Sequence, residues 1–306
     1  MDRIMTRIGI LIAVSMAAGL SARDVPEPAL PVNVVVTVTG QKGAPAPPLT
    51  VDDILVSQSK QHLQVTGLEP LRAQSSRQLW VLIDDGTTTN LGTQLSDLKN
   101  FLSDLPANTQ VGVGYMNYGR VQVVQPLTTD HQLAAKAMRL PTGMAGISAS
   151  PYLALTSLIH KWPASSGPRE VVMVSSGIDP EYGAGPDDPY VNESVDVAQR
   201  AGVVVYSIYY SGAGRWGHNG RQIFWGQNYL AQLSDQTGGE LYWLGAINPV
   251  SLAPYLSDIS QHLNGQYLLT FLARPESKAG FQAVKIRTEK PRVKVAGPSK
   301  VYVPAQ

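Results

Sequence analysis

From residue 77 to about 263 the chain alternates short apolar runs with segments of helical period, and this alternation narrows its architecture more than any other feature. Gln78 to Ile83 is almost continuously apolar and stops at Asp84-Asp85, which suits a strand buried on both faces of a parallel sheet. Leu91, Leu95, Leu98, Phe101, Leu102 and Leu105 then recur at helical spacing as far as Pro106. The same reading gives strands at 111–116 and 121–124 around a turn at Asn117, a helix capped by Asp130 and running to about Leu140, and a helix over 152–162. Beyond these come a strand over 170–174, a helix over 191–201, a strand over 203–210, a helix over 224–237 ended by Gly238-Gly239, a short strand over 241–244 and a helix over 249–263. Such alternation predicts an α/β fold, a doubly wound, mostly parallel sheet with helices on both faces.

The flanks lack helices. Runs at 32–39, 54–57 and 63–68 precede the alternating region, the last two as a candidate hairpin, and runs at 267–272, 281–288, 293–295 and 301–303 follow it. Neither set could bury a face alone, so the two are expected to pair as a small antiparallel β addition. At the start, Arg3 and Arg7 precede the apolar run Ile8 to Leu20, and Ser21 and Ala22 follow it, which is the three-part layout of a secretory signal peptide. That run is short of the ~20 residues a spanning helix needs. The expected division is therefore 1–22 signal peptide, 23–76 N-terminal β extension and linker, 77–263 α/β domain and 264–306 C-terminal β extension. The product would be periplasmic or extracellular, with no transmembrane segment after cleavage. Cysteine is absent, which removes disulfides, thiolate metal sites and thiol nucleophiles together. Lys+Arg 24 against Asp+Glu 23 leaves a net charge of +1, so no overall field draws the chain to nucleic acid.

Three segments together carry a resemblance: Leu79-Trp80-Val81-Leu82-Ile83-Asp84, then Leu98 to Leu102 through Leu105-Pro106 to Val113, and Leu230 to Thr237 closing on Gly238-Gly239. They resemble a von Willebrand factor type A domain over about 77–263, and the flanks are similar to extensions in an exported bacterial, acidobacterial-type group related to it. The resemblance implies a ligand site at the carboxyl ends of the strands, where a divalent cation sits on an Asp-x-Ser-x-Ser loop, a Thr from a second loop and an Asp from a third. Mg²⁺ wants six oxygens and keeps some of its waters, which explains those residue types. Here the first loop reads Asp84-Asp85-Gly86-Thr87-Thr88-Thr89, so Asp84 matches, Gly86 stands where the first Ser should be and Thr88 takes the second. A one-residue shift gives Asp85-x-Thr87-x-Thr89, intact but displaced from the strand end. The second loop offers Ser148 or Ser150, and the third has Ser176 in place of the Asp, with Asp179, Glu181, Asp187 and Asp188 nearby in sequence. The resemblance thus implies a degenerate site, with Asp84, Thr88 and Ser148 as the remaining metal ligands, no tightly bound cofactor and at most weak Mg²⁺ or Mn²⁺ binding.

Gly212 to Gly217 spells G-x-G-x-x-G after a strand, but no helix opens directly on it, so it reads as a loop presenting Arg215, Trp216 and His218. Ser176 lacks the flanking glycines of a nucleophile elbow, since Val174 and Ile178 stand there. The histidines form no His-x-x-x-His zinc pair. The expected function is a non-enzymatic binding module for a protein or cell-surface ligand, using Asp84, Asp85, Gly86, Thr88, Ser148, Ser150, Ser176 and Trp216. The alternative is a metal-independent assembly subunit that docks through its β extension.

Overall fold

Four strands precede the first long apolar run: β1 (Leu30–Gly40), β2 (Ile54–Gln58), β3 (Gln61–Leu63) and β4 (Val65–Pro70). The computed structural model describes residues 29–41, 46–71, 76–144, 150–163, 165 and 167–305. The expected signal peptide lies outside them. The expected hairpin at 54–68 is divided. β2 turns through Ser59 and Lys60, both at positive φ as a two-residue hairpin turn requires, and pairs with β3 but not with β4. β4 leaves that sheet and joins another, beside a strand from the end of the chain.

The alternating region follows as β5 (Gln78–Asp84), α1 (Gly92–Asp104), β6 (Gln110–Asn117), β7 (Arg120–Thr128), α2 (His131–Ala137), α3 (Pro151–Lys161), β8 (Arg169–Ser175), α4 (Pro189–Ala201), β9 (Val203–Tyr209), α5 (Gly220–Thr237), β10 (Leu241–Tyr242) and α6 (Ala253–Asn264). The sheet order is β10-β9-β8-β5-β6-β7, parallel throughout except at the β7 edge, which is the doubly wound arrangement. Both faces of β5 are covered. Leu79, Val81 and Ile83 pack with the apolar faces of α1 and α6, while Trp80 and Leu82 pack with those of α3, α4 and α5. The period of two in β5 therefore sorts its side chains between two cores rather than between core and water. α2 ends earlier than its sequence suggests, because Met138 turns extended and Arg139 is drawn toward β5 and β6.

β11 (Gln266–Ala273), β12 (Gly280–Thr288), β13 (Val293–Ala296) and β14 (Lys300–Val303) complete the chain. They interleave with the first four strands in two antiparallel sheets, β13-β1-β11-β4 and β14-β12-β2-β3, so the flanks pair with each other as expected. Val36, Val38, Ile54, Val56, Phe271 and Val303 belong to one core shared by the two sheets. A polar seam joins this sandwich to the α/β sheet. Arg77 Nη2 donates to Leu263 O at 2.6 Å and to Gln266 Oε1 at 2.9 Å, and its Nε lies 3.4 Å from Glu170 Oε1. Among the described residues no helix is long and apolar enough to cross a membrane.

Candidate functional site

The chain leaves β5 for β6 on one side and reaches β8 on the other, so the loops at the carboxyl ends of β5 and β8 diverge and open a crevice at the switch point. Asp84 ends β5 and Ser175 ends β8. Ile83 pairs with Val174, so the two residues come side by side. Ser175 Oγ donates to Asp84 Oδ2 at 2.7 Å, and the Gly86 amide donates to Asp84 Oδ1 at 2.8 Å. Asp84 is only 4% exposed, and burial pushes its carboxyl up to about 6 against the pull of these two donors, with the neighbouring Asp85 charge adding to the rise.

Asp85 is engaged differently. Both its oxygens accept from the Arg139 guanidinium, at 2.7 and 2.8 Å, and Thr142 N donates to Oδ1 at 3.2 Å. Its carboxylate is thus committed to a bidentate ion pair that fastens the segment after α2, which leaves the shifted register without its acid. Thr87 is committed as well: its hydroxyl donates to Asp84 O at 2.8 Å, and it bridges to Gly212. Thr88 Oγ1, by contrast, is buried without a hydrogen-bond partner. Gly86 has little room to be anything else, since a Cβ there would lie 3.1 Å from Asp84 Oδ1.

The remaining expected residues divide. Ser150 caps α3 and donates to Asp179 Oδ2 at 2.5 Å, so this pair closes on itself; Asp179 also accepts from Glu181 N at 2.8 Å, and burial raises its carboxyl. Ser176 is buried, with its Oγ accepting from Ile178 N at 3.4 Å. Asp188 caps α4 through Oδ1, and its Oδ2 is buried without a partner. Trp216 sits half-buried in a 3-10 turn, Gly214–Gly217, with the Arg215 guanidinium over its ring. The glycine-rich motif is a loop folded on Gly86, with Ala213 N donating to Gly86 O at 2.9 Å, and α5 opens after it on an Asn219 cap. Ser148 lies outside the described residues.

A hard divalent cation needs several convergent oxygens. The described part of the crevice offers one carboxylate already accepting two hydrogen bonds, one free hydroxyl at Thr88, and a glycine amide where the family pattern has a serine. Among the described residues no three acidic or imidazole groups converge at this end of the sheet. The described residues do not fit a tightly held Mg²⁺. The crevice instead presents a buried acid and small hydroxyls, and the chain following β10 carries the exposed apolar side chains Trp243, Leu244, Ile247 and Val250. Sequence reasoning missed Ser175 and Arg139. Ser175 could have been found from the parallel pairing of two strands ending at the same level, whereas Arg139 had no local signal.

No protein-family model and no curated protein sequence matches the chain. Among solved structures, it is similar to an aerotolerance-related membrane protein from Bacteroides fragilis at 12% identity, covering 61% of this chain and 98% of that one with a TM-score of 0.44. It is also similar to the ArnB paralog VWA2 from Sulfolobus acidocaldarius at 10% identity, covering 89% and 76% with a TM-score of 0.41. The SpRpn10 VWA domain is similar at 15% identity, covering 62% and 96% with a TM-score of 0.40. At these identities the side chains of the crevice are this chain's own.

Proposed function

We propose that this chain is an exported, non-enzymatic binding module of von Willebrand A type that holds a protein or cell-surface ligand on the loops at the carboxyl ends of its parallel strands. Any Mg²⁺ or Mn²⁺ contribution is weak in this reading, and the ancestry is that of the exported bacterial, acidobacterial-type group. The observation that carries it is exposed apolar surface: Met144, Phe224, Trp243, Leu244, Ile247 and Val250 are each more than half exposed. Exposed apolar side chains on loops at one end of a sheet are the usual mark of an interaction site. The loops bearing them are braced rather than loose, with Gln227 Nε2 donating to Gly245 O at 2.7 Å and Ser211 N to Asn248 Oδ1 at 2.7 Å.

The test is retention of a partner from the native envelope by the full chain, with and without EDTA, compared with the variant Trp243→Glu/Ile247→Asp. Because both side chains already face water, the variant should melt as the parent does while partner retention falls at least tenfold, and EDTA should change neither. A second reading, the assembly subunit, is favoured by the open outer strands of the sandwich, β3, β4, β13 and β14. Loss of the partner on substituting β4, with Trp243→Glu/Ile247→Asp unaffected, would decide for it.

A further inference from the structure

At the opposite end of the parallel sheet, where Glu240 leads into β10, a second group of side chains converges. Asp258 and His262 stand one helical turn apart on α6, so they share a face. His262 Nε2 lies 3.5 Å from Asp258 Oδ2 and 3.9 Å from Glu240 Oε2, and the three donor atoms all fall within 4.8 Å of one another. We propose that Glu240, Asp258 and His262 form a site for a borderline transition-metal dication such as Zn²⁺, with three protein ligands and an open side toward the cavity they line.

The metal class follows from the donors. An imidazole nitrogen with two carboxylates suits Zn²⁺ and its neighbours in the first transition row, whereas Mg²⁺ and Ca²⁺ take oxygen alone. Metal–ligand bonds of ~2.0–2.2 Å place neighbouring donors of a tetrahedral site ~3.4 Å apart, close to the His262–Asp258 spacing. The second shell is also in place. Tyr242 Oη donates to Asp258 Oδ2 at 2.7 Å and lies 3.4 Å from His262 Nδ1. With Nδ1–H directed at the tyrosine oxygen and the tyrosine proton given to Asp258, the Nε2 lone pair faces the carboxylates, as second-shell partners of a metal-bound histidine arrange it. In that tautomer three acceptor atoms face one another, an arrangement that a cation between them would satisfy. The described residues lining the adjoining cavity, of about 760 Å³, include no lysine or arginine. The cavity lies between α6 and the sandwich strands at Val38, Gly40 and Tyr267, with room for the water or ligand that would complete the coordination.

The experiment is a Co²⁺ and Zn²⁺ titration of the full chain, produced without a histidine tag and stripped of metal. One Co²⁺ per chain should bind in the micromolar range with visible d–d absorption, and Zn²⁺ should displace it. His262→Gln and the double variant Glu240→Gln/Asp258→Asn should each weaken binding at least tenfold, and Tyr242→Phe should do so by about tenfold. Glu193→Gln, an exposed acid on α4 away from the cluster, should leave the absorption unchanged. Glu240 is 42% exposed at its side chain, so Glu240→Gln decides the matter even if a His262 variant folds poorly. The absence of any Co²⁺ signal at millimolar metal, or a signal that survives His262→Gln and Glu240→Gln in well-folded variants, would overturn the site and leave a hydrogen-bonded cluster around His262.

Discussion

Asp84 accepts one hydrogen bond on each carboxylate oxygen and pairs with no lysine or arginine among the described residues, so its charge is stabilised by dipoles alone. Burial therefore wins, and the folded-state value near 6 stands about two units above that of an unfolded aspartate. For an acid raised in this way, the stabilising contribution is whole below the unfolded value near 4 and is lost as pH rises through about 6. Two units correspond to about 3 kcal/mol. Asparagine keeps the shape and can still accept from Gly86. Urea unfolding should thus show Asp84→Asn gaining on the parent as pH climbs, from near parity at pH 4 to about 3 kcal/mol at pH 7.5, and a difference that does not change with pH would mean the carboxylate is paired or solvated. Asp84 was legible because a charged residue closing an apolar strand has few places to go. The commitment of Asp85 was not, since its partner lies 54 positions along the chain and nothing near Arg139 marks it.

The strands and helices of the parallel layer were legible for a physical reason: leucines at helical spacing and unbroken apolar strands each have one economical burial. Their ends were less so. The segment from Met138 to Gly143 shows why, because its course is set by contacts distant in sequence. Tyr115 Oη donates to Arg139 O at 2.5 Å and accepts from Arg139 N at 2.6 Å, the Arg139 guanidinium grips Asp85, and Gly143 N donates to Asp85 O at 3.1 Å. The split of β3 from β4 has the same origin, since β11 offers β4 a longer partner than β2 does. If Arg139 fastens this segment, Arg139→Met strands a carboxylate whose side chain is 3% exposed. Breaking a buried pair costs ~3–5 kcal/mol, and here the cost should be nearer ~2–3 kcal/mol because the guanidinium is partly solvated. Adding Asp85→Asn should restore most of it in chemical denaturation, and additive losses in the double variant would show that the pair does not hold the segment.

The molecule as a whole is two layered bodies whose cores are joined by polar contacts as well as by packing. Arg77 stands at the junction: it precedes β5, pairs with Glu170 on β8, and reaches the end of α6 and the start of β11. Glu170 is fully buried, and burial lifts its carboxyl to about 7 although the Arg77 charge opposes the rise. Arg77→Met would remove that opposition and two bonds across the seam. Its folded-state value would then climb further, so beyond the pH-independent cost of the two lost bonds the variant's stability should fall as pH passes through 7 toward 8.5, where the whole loss should reach ~3–5 kcal/mol. The tryptophans give the readout. Trp80, Trp162, Trp216, Trp225 and Trp243 all belong to the α/β part and none to the sandwich, so fluorescence follows one body while far-UV dichroism follows both. In the parent the two signals should unfold together, because the interleaved flanks close the sandwich only when the core holds their ends in place. In Arg77→Met at pH 8.5 they should separate, and a single coincident transition there, at an unchanged midpoint, would show that packing alone couples the two bodies and that the buried pair is incidental to it.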